Sequence, residues 1–598
     1  MAAAASGAAA ADRDPISLPV AHPDGVGTSS CGRATGYDPE QPTLVVGAVG
    51  HVAHGKTTLV AALTGQRPSR FRQEARQNMT IQLGYATARI YRCPVCPRPH
   101  CFQVVRPLDP AITTDEDAAR SSKVAADASP PRPRCSRCAA PAPLMTCHRL
   151  VAFIDCPGHE VLMSTMLNGA TVMDAALLLV AANEEFPRPQ TVEHLIALNV
   201  SGVPRVAVVQ NKIDLLVDRV SASRRSTTER LTGQADDIRQ YMSKHFTVAV
   251  QRRSGVDTAP PAGTAEFQER WDADGPPPVI PVSAQLGVNL AFVVDWIATV
   301  PVPRRNDLGA PRLSIARSFD VNRPGTTIDR LVGGVVGGTL TRGWLEPGAV
   351  VEIRPGLLTM AVPEQPVEMS ATVGSQEASM PTCATYRPLR GRVATLKADN
   401  MPLHRAGPGG LIAVGLTVDP ALCKGNRLVG HVVVHPSDDL RVFAAVDVAF
   451  YLLPTTVAAT TGTTTAAASG GSRGRVPGPD HSPVPVGKLK VGERLHITVG
   501  TRSVMGRVAL VRSGAARFCF DEPCCASTGT ALVISRPTSC GAGGGTKLRS
   551  SARLFGWGSI LSGSDCPRTV PLPPGDQRPM SSIPAMTCAS SPPSTWRS

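Results

Sequence analysis

Aromatic side chains are scarce in this 598-residue sequence, at 4%, and acidic ones are outnumbered, with 47 Asp and Glu against 61 Lys and Arg. The formal net charge of +14 favours a polyanionic partner such as RNA, although charge alone does not separate that from a solvated basic surface. With few aromatics and abundant Ala, Gly and Pro, part of the 42% hydrophobic fraction is alanine, so the folded length is expected to be shorter than the chain. No apolar run reaches the roughly 18 residues needed to span a bilayer, which argues against a membrane protein. The Ala-rich start has no basic segment ahead of an apolar core and reads as a disordered cytosolic tail. Cysteines are not dense: the 16 present are scattered apart from two CxxC pairs, unlike a secreted disulfide scaffold, and this favours a reducing, cytoplasmic setting.

What is present is organised in blocks. Apolar, β-prone runs at 44–49, 150–154, 175–182, 206–210 and 279–282 alternate with helix-like segments. Such runs suit strands covered on both faces, and the alternation predicts a doubly wound, mostly parallel α/β domain over 43–305. Within it, 191–200 reads as a helix whose shared face is Val192, Leu195, Ile196 and Asn199. Past the Pro-rich junction 301–305 the pattern changes to short Val, Leu and Ile runs between Gly and Pro, which predicts two β-barrels over 306–440 and 441–562. A Thr, Ala and Gly-rich stretch at 455–483 interrupts the second barrel. Residues 1–42 and 563–598 read as disordered tails.

The segment Gly50-His51-Val52-Ala53-His54-Gly55-Lys56-Thr57 fits a phosphate-binding loop, follows a strand and opens a helix that Gly65 can end. Glycines let backbone amides wrap phosphates, Lys56 neutralises the β and γ oxygens, the Thr57 hydroxyl ligates Mg²⁺, and Thr58 continues the loop's contact surface. Further elements follow in the order a GTPase needs. Asn211-Lys212-Ile213-Asp214 ends a strand, where ligands of α/β sheets bind. Asp214 can accept from the guanine N1 hydrogen and exocyclic amine, a donor pair that adenine lacks, with Lys212 along the base. Ser283, Ala284 and Gln285 would offer an amide to guanine O6.

Asp155-Cys156-Pro157-Gly158-His159 ends another buried strand. It puts Asp155 near Mg²⁺ through a water, the Gly158 amide at the γ-phosphate and His159 where it orients the attacking water. Asn78-Met79-Thr80-Ile81 occupies the place of a first switch loop, with Thr80 on Mg²⁺ and the γ-phosphate. Val52 and Ile81 could gate His159. No cis arginine finger stands out, so hydrolysis to GDP is expected to be slow without an activating partner.

Cys93, Cys96, Cys135 and Cys138 form two CxxC knuckles suited to a structural zinc site, with Cys101, Cys147 and His148 as competing ligands and reduced surface thiols as the alternative. The insertion they bound runs over 93–138.

These motifs resemble the translational GTPase family, a P-loop GTPase domain followed by two β-barrel domains, and within it the gamma subunit of translation initiation factor 2. Ala53 stands where elongation factor Tu has Asp. Residues 78–86, 159–179, 318–356, 409–430 and 554–558, with Asn183-Glu184 ahead of Pro189-Gln190-Thr191, are similar to that branch, and the resemblance spans most of 43–562. Three stretches depart from it: 218–277, 455–483 and the tail after 562. The resemblance implies GTP-dependent binding of methionyl initiator tRNA and its delivery to the small ribosomal subunit. It also implies alpha and beta subunits in a heterotrimer, with GTPase-activating and nucleotide-exchange factors. Tyr85 would then line a pocket for the aminoacylated end or serve in ordinary packing. The competing expectations are an elongation or selenocysteine-specific factor and a GTP-holding scaffold without hydrolysis.

Overall fold

The computed structural model describes residues 40–68, 74, 80–104, 133–139, 142–159, 162–216, 224–253, 277–359, 385–399, 401–452, 455–457, 483–485, 487–538 and 551–568. Asn78, Met79 and most of the three departing stretches lie outside them.

The first domain is built on a seven-stranded sheet. Its strands are β1 (Leu44–Gly50), β2 (Gly84–Arg92), β3 (Phe102–Val104), β4 (Thr146–Asp155), β5 (Ala175–Ala181), β6 (Arg205–Asn211) and β7 (Val279–Pro281). They lie in the order β3-β2-β4-β1-β5-β6-β7. β4, β1, β5, β6 and β7 are parallel, whereas β2 runs antiparallel to β4 and β3 antiparallel to β2. Every residue of β1 and β5 is buried, as an unbroken apolar run requires when helices cover both faces. Helices α1 (Lys56–Thr64) and, at the end of the domain, α5 (Leu290–Thr299) cover one face with Leu59, Leu63, Val293 and Ile297. On the other face lie α2 (Met163–Ala170), α3 (Pro189–Val200) and α4 (Arg224–Arg253), which contribute Met166, Leu167, Leu195, Leu198, Ile238 and Met242. The chain reverses its direction of winding at β1, so the carboxyl ends of β1 and β5 open a crevice.

Two features differ from the sequence expectation, and one goes beyond it. Of the face Val192, Leu195, Ile196 and Asn199, helix α3 fully buries only Leu195; it also buries Thr191, His194, Ala197, Leu198 and Val200, so two polar side chains are enclosed, His194 against Gly50 at the end of β1. Part of the stretch 218–277 is helical: in α4, Leu231, Ala235, Ile238 and Met242 recur at the three- and four-residue spacing of one helical face. Residues 40–42, expected in the tail, are docked. Gln41 is buried and brackets the first barrel, donating to the carbonyls of Gly407 at 2.7 Å and Gly409 at 2.9 Å and accepting from Gly407 N–H at 2.9 Å.

The first barrel contains β8 (Arg312–Phe319), β9 (Val335–Arg342), β10 (Val350–Thr359), β11 (Thr385–Ala398), β12 (Met401–Pro402), β13 (Gly409–Leu416) and β14 (Val432–Val434). Six strands close in the order β10-β14-β8-β9-β13-β11, with β12 appended to β11. The second barrel opens with β15 (Arg441–Leu452), and the short ladder β16 (Thr455–Val457) with β17 (Pro483–Pro485) stands at the base of the Thr-rich stretch. It then adds β18 (Arg494–Val499), β19 (Arg502–Arg512), β20 (Ala515–Ala526), β21 (Ala531–Thr538) and β22 (Ser551–Asp565), closing as β15-β20-β19-β18-β21-β22. β22 runs three residues past 562, where Arg441 pairs with Asp565.

A buried ion network fixes the segment that leads from the first barrel into the second. Arg354 pairs with Glu352 and donates to the carbonyls of Pro436, Asp438 and Leu440, while Asp438 holds Arg312 and Arg342. Each buried charge there has an opposite partner, without which it would cost several kcal/mol, about 3–5 for a broken pair.

Candidate functional site

The loop after β1 is bent by backbone that few side chains tolerate: Ala53 and Gly55 have φ of 63° and 92°. A Cβ on Gly55 would also strike Asn211 Nδ2. Asn211 uses that amide to donate to the His54 carbonyl at 2.9 Å and its Oδ1 to accept the Ala284 N–H at 3.0 Å. One side chain therefore ties together the loop, the end of β6 and the turn after β7. That turn is closed by the Ser283–Val288 bridge, and Ser283 Oγ accepts the Leu286 N–H. Lys212 has φ 64°, half-buried Asp214 lies one residue beyond Ile213 on a short 3₁₀ turn (Ile213–Leu216), and Gln285 is exposed.

At the phosphate end, Lys56 is buried and its ammonium donates to the carbonyls of Gly50 at 2.9 Å and His51 at 2.7 Å. Burial, only partly countered by Asp155, brings Lys56 down to about 8. Burial likewise pushes Asp155 up to about 6 against the hydrogen bond from Thr57. Thr57 Oγ1 donates to Asp155 Oδ2 at 2.7 Å, Thr80 Oγ1 donates to the same oxygen at 3.3 Å, and the two hydroxyls are 3.1 Å apart. Asp155 Oδ1 is buried with no hydrogen-bond partner among the described residues. Three oxygen donors on one point, one of them a carboxylate with a spare buried oxygen, fit a hard cation such as Mg²⁺. Gly158 sits so close to the loop that a Cβ would collide with Lys56 Nζ and the Gly50 carbonyl, so its backbone packs against the loop beside the ammonium. His159 is half-buried and its carbonyl accepts the Leu162 N–H at 2.9 Å. Val52 and Ile81 are half-buried, while Ala53 and Thr58 are exposed.

Three supporting residues, His194, Glu74 and Gln234, carried no signal in a linear reading, and a fourth, Glu184, carried one only through the resemblance. His194 Nδ1 accepts the Gly50 N–H at 2.9 Å, so its ring is the neutral tautomer, consistent with burial that pulls it down to about 3. Glu184 Oε2 reaches His54 Nε2 at 3.2 Å and Arg188 at 3.4 Å, while His54 Nδ1 meets the Leu179 carbonyl. This gives Asn183-Glu184 a physical meaning, since the glutamate braces the loop from the end of β5. Glu74 accepts the N–H groups of Ile81 and Gln82 at 2.9 and 3.1 Å and orders the chain around Thr80. Gln234, from α4, donates to the carbonyls of Ala181 and Glu184.

The four cysteines of the CxxC pairs converge. Sγ separations are 3.8 Å for Cys93 and Cys138, 3.6 Å for Cys96 and Cys135 and 3.5 Å for Cys96 and Cys138, and all four sulfurs lie within 4.8 Å of one another. A tetrahedron with zinc–sulfur bonds of about 2.3 Å has sulfur edges of about 3.8 Å, so the set fits zinc. Cys101, Cys147 and His148 are not in the cluster; His148 Nε2 faces the Ala298 carbonyl at 3.0 Å. Tyr85 buries its hydroxyl, has no partner for it among the described residues, and lies under Arg317 of the first barrel at 5.8 Å.

Comparison with known proteins connects these parts. A family model of the elongation factor Tu GTP-binding domain matches residues 41–302, and one of the C-terminal domain of initiation factor eIF2 gamma matches 475–560. Over 526 residues the chain is 34% identical to the gamma subunit of eukaryotic translation initiation factor 2 of Schizosaccharomyces pombe, covering 88% of this chain and 94% of that one. The chain belongs to the initiation factor 2 gamma family. The corresponding subunit 3 of Drosophila melanogaster is 35% identical, over 88% of this chain and 89% of that one. A crystal structure of a bacterial selenocysteine-specific elongation factor shares the fold, with a TM-score of 0.51 at 18% identity; the match covers 87% of this chain and 58% of that structure. A member of the gamma family with this nucleotide domain is a translation-initiation GTPase. An elongation or selenocysteine-specific role is not favoured, since that likeness is one of fold.

Proposed function

We propose that this chain, in its GTP form, binds methionyl initiator tRNA and delivers it to the small ribosomal subunit, with hydrolysis to GDP as the release step. It would do so in the cytoplasm as the gamma member of a heterotrimer with alpha and beta subunits, served by activating and exchange factors. The observation that carries the reading is the convergence of Thr57, Thr80 and Asp155 beside Lys56. Thr80 comes from the segment that leads into β2, so a ligand held there ties that segment to the loop after β1.

In this mechanism the amides of residues 50–57 wrap the phosphates and Lys56 neutralises them. Asp214 and Lys212 read the base, with Ser283, Ala284 and Gln285 lining it and Asn211 fixing the three strands' ends in register. Gly158 senses the γ-phosphate, and His159 orients water for attack. Thr57, Thr80 and, through a water, Asp155 would hold Mg²⁺, which supplies charge neutralisation on the phosphates. The Cys93, Cys96, Cys135 and Cys138 set would hold a structural zinc.

Filter binding tests the proposal directly. With GTP the chain should retain methionyl initiator tRNA at least tenfold better than deacylated initiator tRNA or an elongator methionyl-tRNA, and GDP should weaken retention. Equal binding of initiator and elongator species would leave a general translational GTPase.

A further inference from the structure

The cysteine knuckle is not an isolated appendage. Between its first pair and β3, Arg98 reaches across to α5 and forms a two-pronged ion pair with Asp295, Nε to Oδ1 and Nη2 to Oδ2, both at 3.0 Å. Asp295 is 2% exposed, so this carboxylate depends on Arg98 for compensation. The His100 ring meets Phe292 edge-on at 6.5 Å, one turn nearer the start of the same helix. The knuckle is closed at its root by the Cys93 N–H on the Cys101 carbonyl at 2.8 Å, and Gln103 Nε2 donates to Cys135 Sγ.

The start of α5, one turn ahead of Asp295, carries the turn assigned above to the base. Asn289 precedes the helix with φ 61° and its side chain donates to the Pro281 carbonyl at 3.0 Å. The turn over residues 283–288 lies directly before it and touches Asn211 through Ala284. A route made of chain segments, an ion pair, a ring contact and hydrogen bonds thus runs from the four cysteines, through Arg98 and His100, to α5, the turn before it and Asn211.

We propose that Arg98 and Asp295 are positioning residues for guanine-nucleotide retention: the metal-closed knuckle grips α5 through them and so fixes the turn that faces the base. The inference rests on the nucleotide reading of that turn. Metal bound at the four cysteines holds residues 93–101 in the shape that presents Arg98. Loss of the metal by chelation releases the grip and speeds nucleotide release.

Release of a fluorescent GDP from the full chain, zinc-loaded or stripped by chelator under reducing conditions, measures the effect. Stripping should accelerate release about tenfold, within the usual range of coupling between sites. Zinc-loaded Arg98→Ala should keep its zinc, release GDP faster by a similar factor and gain nothing further from stripping, because both changes break one path. The pair Arg98→Met with Asp295→Leu leaves no orphaned charge. It should keep the thermal midpoint yet still release GDP fast and raise KM for GTP with kcat at saturation unchanged; a merely structural role predicts wild-type release in that variant.

An unchanged release rate on stripping, or wild-type behaviour of zinc-loaded Arg98→Ala, overturns the proposal. Should the variants fail to fold, amide hydrogen exchange at residues 283–288 in the wild-type chain decides it: faster exchange without zinc supports the grip and equal exchange refutes it. A zinc-loaded wild type that binds no GDP would strike the nucleotide reading instead, and the exchange measurement would still judge the grip.

Discussion

At the scale of single residues, the site is made of side chains whose chemistry is committed and whose neighbours leave few alternatives. Under the proposed nucleotide reading, the Asp214 carboxylate offers only acceptors, which would suit guanine's N1 hydrogen and amine and reject adenine. Asp214→Asn turns one acceptor into a donor, so GTP affinity should fall by about a hundredfold, as when a polar pair is mismatched, while xanthosine triphosphate should gain affinity. Direct titration of wild type and variant with labelled GTP and, separately, labelled xanthosine triphosphate measures both; unchanged GTP affinity would remove Asp214 from the base pocket. Asn211 shows why such a motif is more than its base-reading member. Its amide spans 2.9 Å to the His54 carbonyl and 3.0 Å to the Ala284 N–H, a geometry that no hydrophobic or acidic replacement reproduces.

At the scale of elements, helix α3 presents buried polar groups to the loop it supports. His194 is fully enclosed and accepts from Gly50, which burial permits only when the ring is neutral. His51 is brought down to about 4, by burial first and by His54 next. A histidine whose folded value lies below its unfolded value of about 6.5 leaves stability untouched above that pH. It removes stability as pH falls from about 6.5 toward the folded value, because the unfolded chain then binds the extra proton. His194→Gln keeps an acceptor without the titration. Thermal unfolding of the nucleotide domain should therefore lose less midpoint between pH 7 and 5 in this variant than in wild type, and parallel pH curves would show that His194 contributes no linkage.

The same helix shows what the sequence could and could not reveal. Strands with unbroken apolar runs, such as β1 and β5, and the glycine-rich turn between strand and helix were legible, since covering both faces of a strand demands that composition. The inward face of α3 was not, because Thr191 and His194 carry polar groups that a periodicity reading assigns to solvent. Helix α4 was hidden for the opposite reason: its buried stripe is only Leu231, Ala235, Ile238 and Met242 among many charges. The bracing roles of Glu184 and Glu74 exist only once β5 and the segment before β2 fold beside the loop. The docked position of Gln41 depends on a partner more than 360 residues away, a separation that no local pattern encodes. The cysteine spacing suggested a closed metal set, and folding brings the two pairs within sulfur reach while turning His148 toward α5.

At the scale of the whole molecule, the question is how a nucleotide between strand ends is felt where a tRNA would sit. The segment holding Thr80 continues into β2, and Tyr85 on that strand lies beneath Arg317 of the first barrel. Gln41 fastens the base of β1 to the barrel residues Gly407 and Gly409, and Arg305 at the junction pairs with buried Asp174, which also accepts the Val45 N–H at 2.8 Å. With the barrel fixed against the sheet at those points, a change around Thr80 would have its nearest route to the barrel at the Tyr85 and Arg317 contact. If GTP in place of GDP raises affinity for methionyl initiator tRNA by some factor, thermodynamic linkage requires that the tRNA raise the preference for GTP over GDP by the same factor. Titrations in both directions on the full chain should return one number, about 5 to 150. Arg317→Ala should lower that number in both directions, by several-fold, while leaving affinity for GDP in the absence of tRNA unchanged, because Arg317 touches Tyr85 and not the loop after β1. A coupling factor that survives Arg317→Ala intact would place the route elsewhere, and a variant that loses GDP affinity as well would make Arg317 part of the domain's packing.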